Sequence, residues 1–117
     1  MNSTLTKPEI TFDQYMDIQS KLEIKIGQIT AAERVPKSYG LKLTVDFGNG
    51  DIRTVFTNLG KTHEPEQLVE LTMPFITNLE PSEIKGVMSQ AMIMVGIGDK
   101  GQEQIGLDYF GIGTKLM

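Results

Sequence analysis

Residues 41–57 constrain the fold more than any other stretch of this chain. Leu41, Leu43, Val45 and Phe47 alternate with Lys42, Thr44 and Asp46, which is the period-two pattern of a strand with one buried face. Gly48-Asn49-Gly50-Asp51 follows, and Asn-Gly is a strong hairpin signal because a tight turn needs positive φ at its central residues. Ile52 to Thr57 is the returning strand. Such a pair commits the chain to antiparallel sheet, since slipping by one residue would turn its apolar set into water. A lone hairpin is marginal in water, so the flanking residues must supply more strands.

They do so in a definite order. Residues 1–10 are polar, contain Pro8, and read as a loose arm. Thr11 and Gln14 stand as N-cap and N3 of a capping box, so a helix is expected from there to near Ser20. It places Phe12, Tyr15, Met16 and Leu22 on one face, with Asp13 and Asp17 early, where the helix dipole favours acids. Leu22-Glu23-Ile24-Lys25-Ile26 alternates again as a first strand. Gly27 interrupts it and Ile29 resumes out of phase, as in a strand with a bulge. Val35 to Gly40 is a loop. Asn58 to Lys61 is a turn, and Pro65 to Val69 a short helix with proline at its first position. Leu71 to Thr77 is a fourth strand, in which Pro74 implies an edge or a strand end. Asn78 to Met92 reads as a loop with a polar kink, and Ala91 to Val95 as a fifth strand. Gly96, Gly98, Asp99 and Gly101 form a turn, and Gln104 to Leu107 a further short strand. Residues 110–117 close the chain.

Three strands, a short helix and two more strands is the order of an OB-fold, a five-stranded barrel with a helix between strands three and four. The expected fold class is therefore all-β, with an N-terminal helix and a C-terminal extension. At 117 residues one domain is expected: residues 1–21 as arm and helix, residues 22–117 as barrel and C-terminal segment. Hydrophobic residues make up 39% and charged residues 22%, a globular composition. Cysteine is absent, which excludes disulfides and thiolate chemistry and fits a reducing compartment. No apolar run approaches the roughly 18 residues of a membrane span, and the N-terminus lacks a signal-peptide pattern. A soluble cytoplasmic protein is the expectation.

Catalytic and metal chemistry find little support. His63 is the one histidine, beside Glu64 in a polar turn, with no triad or ligand partners in the pattern. Gly96-Ile97-Gly98 and Gly111-Ile112-Gly113 lie outside any strand-to-helix unit, so they are turns and not dinucleotide loops. Glu80 and Glu83 read as solvated acids, and Ser89 has no evident base. No enzyme activity, cofactor or metal is expected.

Charge is uneven. The net charge is −4, but residues 21–61 carry seven Lys or Arg against four acids, while residues 62–117 carry three Lys against eight acids. The basic part can face a polyanion. In an OB barrel, Arg34, Lys37 and Tyr39 lie in the first loop, Lys25, Lys42 and Arg53 on strands, and Asn58 and Lys61 in the turn after strand three. Asn78, Lys85 and Ser89 join them from the later loop. Converging, these residues give cations for phosphates and amides or hydroxyls for sugar or base edges, with Tyr39 able to stack on a base. Spacing alone leaves a second reading open, in which the strand cations simply alternate outward into solvent.

Five segments together resemble the tRNA-binding domain family. They are Glu23–Gly27 (EIKIG), Ala32–Pro36 (AERVP), Lys42–Gly48 (KLTVDFG), Pro65–Val69 (PEQLV), and the NLEP…IKGVMSQAM run from Asn78 to Met92. The family includes free-standing CsaA-like proteins, the C-terminal domain of many methionyl-tRNA synthetases and the endothelial monocyte-activating polypeptide class. The short first loop and the C-terminal GTKL resemble the CsaA-like branch. The resemblance implies an OB-fold, a homodimer built with the N-terminal helix and C-terminal segment, and non-catalytic binding of structured tRNA. For the CsaA-like branch it also implies an export-related chaperone that binds unfolded polypeptide, and seven methionines could serve an adaptable apolar surface. By position Asn78, Lys85 and Ser89 fall on the family's Asn-Leu-x-Pro…Gly…Ser signature. Glu80 and Glu83 stand where the family usually carries cations, which predicts a weaker hold on phosphate at that loop.

Overall fold

The computed structural model describes residues 6–106 and 110–117. Helix α1 runs Phe12–Lys21, opened by the Thr11/Gln14 capping box, whose reciprocal bonds are 3.1 and 2.8 Å. Strands β1 (Ile24–Arg34), β2 (Leu41–Asp46) and β3 (Ile52–Thr57) follow. A tight helical turn at Leu59–Lys61 and helix α2 (Pro65–Leu68) lead to β4 (Thr72–Ile76). Then come β5 (Ser82–Ile84), β6 (Val87–Ser89), β7 (Met92–Ile93), β8 (Gly96–Gly98), β9 (Gly101–Glu103) and β10 (Lys115–Leu116). No helix among the described residues is long and apolar enough to cross a membrane.

The main sheet is antiparallel with order β3-β2-β1-β4-β7, and β10 pairs the start of β1. Strand β1 is shared between two halves: Ile24 to Gln28 pair with β4, and Gln28 to Arg34 pair with β2. The bend at the changeover follows from two local features. Gly27 lacks a side chain where Val45 and Phe47 press against the strand; a Cβ there would lie 2.6 Å from Val45 Cγ1. The bulge falls just beyond it, at Thr30, which is skipped between the pairs Ile29↔Val45 and Ala31↔Thr44. An extra residue increases local twist and helps the sheet curl closed.

Closure between β3 and the later strands uses no regular ladder. Gln90 N–H donates to Thr54 O at 2.8 Å, while its side-chain Oε1 accepts from Thr54 N–H at 2.8 Å. Gln90 thus imitates a strand residue with its own amide. One step along, Ser89 Oγ accepts from Phe56 N–H and donates to Ala91 O, both at 3.0 Å. The result is a nearly closed five-strand barrel around Ile29, Leu41, Leu43, Val45, Phe47, Val55, Leu59, Leu68, Met73 and Phe75. Phe47 and Phe75 meet edge-on in this core at 5.3 Å.

Four details differ from the sequence reading. Asn78–Met92 is not only a kinked loop: it holds the β5–β6 hairpin, turned by Lys85 and Gly86 at φ 52° and 85°. Positive φ at both central residues is the tight-hairpin geometry. Residues 96–103 form a second hairpin, β8–β9, where only a turn was expected. Gln104–Gly106 form no strand, and Leu107 lies outside the described residues. Pro74 is buried in mid-strand, between β1 and β7. It is tolerated because opposite Ile26 bonds away from it, to Gly113 and Thr114, and because on the β7 side its carbonyl still accepts from Met94 N–H at 2.9 Å.

Candidate nucleic-acid interface

Register sorts the ten residues picked out in the sequence into two ends of the barrel and one hairpin. At one end β1 finishes at Arg34, β2 starts at Leu41 opposite Thr57, and the helical turn follows β3. This places Arg34, Lys37, Tyr39, Lys42, Asn58 and Lys61 at one end of the barrel. The loop and the turn are in close contact: a Cβ on Gly60 would lie 2.2 Å from Tyr39 O. Lys61 Nζ lies 5.9 Å from the Tyr39 ring centroid, and that ring is 65% exposed. Lys37 holds the loop's left-handed position at φ 60° and is exposed. Neither Lys37 nor Lys61 makes an ion pair among the described residues. Arg34 is bound to Glu64 at 2.9 Å and to Gly60 O at 3.3 Å, and Lys42 to Glu33 at 3.7 Å. Exposed pairs of this kind are worth about 0–1 kcal/mol, so either cation can exchange its carboxylate for a phosphate at small cost.

Residues at the opposite end are spent on the fold. The Arg53 guanidinium donates to both Asp51 oxygens at 3.0 and 3.1 Å and to Thr77 O at 2.7 Å. It also lies 5.3 Å above the Phe47 ring. Asn78 is a joint: Oδ1 accepts from Glu23 N–H at 2.8 Å and Nδ2 donates to Lys21 O at 2.7 Å, tying α1 to β1. Lys25 is half-buried and paired with Glu23 at 3.6 Å. The Thr77 hydroxyl, donating to Glu23, holds that carboxyl below its ordinary range, with help from Lys25 and Lys115. Arg53 does the same for Asp51.

On the β5–β6 hairpin, Ser89 is buried and fully bonded, so it offers nothing to a ligand. Lys85 is exposed in the turn, next to Ile84. Ile84 lines one cavity with Asn58, Phe56, Met92 and Gln102 of β9. Glu80 and Glu83 are exposed on the same hairpin arm. Sequence reasoning missed Gln90, Gln102 and the closure role of Ser89; no local period marks an amide or hydroxyl that stands in for backbone.

A small antiparallel barrel with a short helix after its third strand, carrying an exposed aromatic ring and uncommitted lysines at one end, defines an OB-type binding module. Within that class the chain belongs to the putative tRNA binding domain family, whose model matches residues 24–108. It is 42% identical over 92 residues to a methionine–tRNA ligase of Methanococcoides burtonii, covering 78% of this chain and 13% of the ligase. With a methionine–tRNA ligase of Bacillus subtilis it shares 36% over 102 residues, covering 86% of this chain and 15% of the ligase. The chain thus spans a small fraction of these relatives. Among solved structures, a MetRS-related protein of Pyrococcus horikoshii superposes with a TM-score of 0.82 at 27% identity, covering 95% of this chain and all of that one. The chaperone CsaA of Bacillus anthracis superposes with a TM-score of 0.77 at 21% identity, covering 94% of this chain and all of that one, a likeness of fold.

Proposed function

We propose that this chain binds structured tRNA without catalysis, through phosphate contacts and base stacking at the Tyr39–Lys61 end of the barrel. The observation that carries this reading is the exposed Tyr39 ring beside Lys61, a lysine with no carboxylate partner among the described residues. Lys37, Lys42 and Arg34 supply further charge, and Asn58 an exposed amide that makes no capping bond in the same turn. Lys85 joins from the hairpin. Lys25, Arg53, Asn78 and Ser89 act behind the surface, holding the barrel and α1 in place. Such a role belongs in the cytoplasm, where tRNA is.

A second element of the proposal is a homodimer. Ile10, Tyr15, Ile18, Leu22, Ile24 and Leu116 line an open apolar groove between α1 and the C-terminal strand. Polypeptide binding has no comparable observation of its own, because the likeness to chaperone structures is one of fold.

Gel shift of bulk tRNA over a salt series tests the main reading. Binding should weaken steeply with salt, and Lys61→Ala should lower the log–log salt slope by about 0.7–0.9. Tyr39→Ala should cost about 1–3 kcal/mol, the usual worth of a stacked base. Absence of a shift at low salt, or a shift insensitive to salt, overturns it.

A further inference from the structure

A second polar cavity lies beyond this patch, between the helical turn and the β8–β9 hairpin. It is an open hollow of about 570 Å³ lined by Thr62, His63, Lys100, Gln102, Glu103 and Gln104. Its wall is fixed by hydrogen bonds. His63 N–H donates to Leu59 O at 2.8 Å. Thr62 Oγ1 lies 2.7 Å from Gln102 O and 2.8 Å from His63 Nδ1. A hydroxyl has one hydrogen and a carbonyl can only accept. The Thr62 hydrogen therefore goes to Gln102, and Nδ1–H of His63 donates to Thr62. Nε2 has no partner among the described residues and is the ring nitrogen free to carry a proton or a lone pair.

The cavity is lined by one cation, Lys100, and one carboxylate, Glu103, with Asp99 beside Lys100 in the chain. Lys100 stands in the hairpin turn and makes no ion pair among the described residues. The Glu103 carboxylate is turned onto Gly98, with Oε2 2.9 Å from where a Gly98 Cβ would stand. In the chain His63 stands between Thr62 and Glu64, with Lys61 two residues before it, and Glu64 is engaged by Arg34 at 2.9 Å. Asn58 lies between the two hairpins, lining one cavity with Ile84 of β5 and Gln102 of β9. Each hairpin carries a lysine in its turn, Lys85 near Glu83 in the chain on the first and Lys100 near Asp99 and Glu103 on the second.

We propose that the His63–Lys100 cavity is a phosphate subsite for RNA, continuous with the Tyr39–Lys61 patch, and that it takes up a proton as it fills. The inference rests on the tRNA-binding reading. A neutral Nε2 turns a lone pair towards a phosphate oxygen and repels it. Once protonated, the ring donates a charge-assisted hydrogen bond there and adds a second cation beside Lys100. The proton comes from solvent and remains on Nε2 while the phosphate is bound.

The test is equilibrium binding of bulk tRNA to the intact chain at fixed ionic strength, from about pH 8 to about pH 5.5, a range centred on ordinary histidine titration. Wild-type affinity should rise at least about threefold as pH falls, through protonation of the chain's single histidine. His63→Gln cannot gain a proton, and its response should be nearly flat. Lys100→Ala should lower the salt slope by about 0.7–0.9. In proton NMR, the His63 ring titration should move to higher pH when tRNA is added. If wild type and His63→Gln bind tRNA with the same pH response, or the ring titration does not move, the subsite is refuted while tRNA binding stands. If no tRNA binds at any pH or salt, both readings fall together.

Discussion

At the residue scale, two carboxylates show how this barrel depends on charge. The Thr77 hydroxyl donates to Glu23 at 2.6 Å and, with Lys25 and Lys115 nearby, holds the Glu23 carboxyl below its ordinary range despite partial burial. The Arg53 guanidinium does the same for Asp51. A group whose pKa is lower folded than unfolded stabilises the fold above the unfolded value. That contribution is lost as pH falls through the folded one. Urea midpoints should therefore hold steady from neutral pH down to about pH 5 and fall below about pH 4, where carboxylates protonate. Thr77→Val should remove the share due to Glu23, and Arg53→Met the share due to Asp51. An acid limb as steep in the double variant as in wild type would show that other groups carry it.

At the element scale, the barrel is sealed by a side chain where a strand would be expected. Gln90 supplies one backbone and one side-chain bond to Thr54, so β3 is held to β6 and β7 without a ladder. Gln90→Ala should cost about 0.5–1.5 kcal/mol, the net worth of an exposed hydrogen bond, as water takes up the Thr54 N–H. It should also speed amide exchange at Thr54 more than at Val55, whose pairing with Leu43 is untouched. Equal exchange at both residues would argue that closure depends on packing instead. The same contrast explains what was legible in the sequence. Leu41 to Thr57 announces itself because its alternation and Asn-Gly turn act over neighbouring residues. Strands β5 and β6 have three residues each and a Lys-Gly turn, too short for a period and atypical for the turn. Tyr39, Lys37 and Lys61 were recoverable as surface groups because loops stay at the surface. Arg53, Asn78 and Ser89 look alike in sequence but are consumed internally, by partners as distant as Glu23 from Asn78, which no local pattern reveals.

At the scale of the whole molecule, α1 poses a thermodynamic problem. It has ten residues, none of them buried, and isolated helices shorter than about 12–15 residues are marginal in water. Its Thr11 cap and the Asn78 joint fix its ends but bury nothing. Ile18 is 51% and Leu22 44% exposed, and both open onto the groove that Leu116 completes on β10. A second copy covering this groove would stabilise α1, and it would present two Tyr39–Lys61 ends to one RNA. Linked sites of that kind gain apparent affinity without any new contact. Ile18→Glu places a charge in the proposed seam. Sedimentation at micromolar concentration should then show wild type as a dimer and the variant as a monomer, and far-ultraviolet circular dichroism should show less helix in the variant. Its tRNA affinity should drop about tenfold or more, within the range that lost avidity allows. Its His63 titration should still respond to bound tRNA, since that cavity lies within one chain. Wild type sedimenting as a clean monomer would refute the dimer. A monomeric variant with undiminished tRNA affinity would leave the dimer standing but confine recognition to a single barrel.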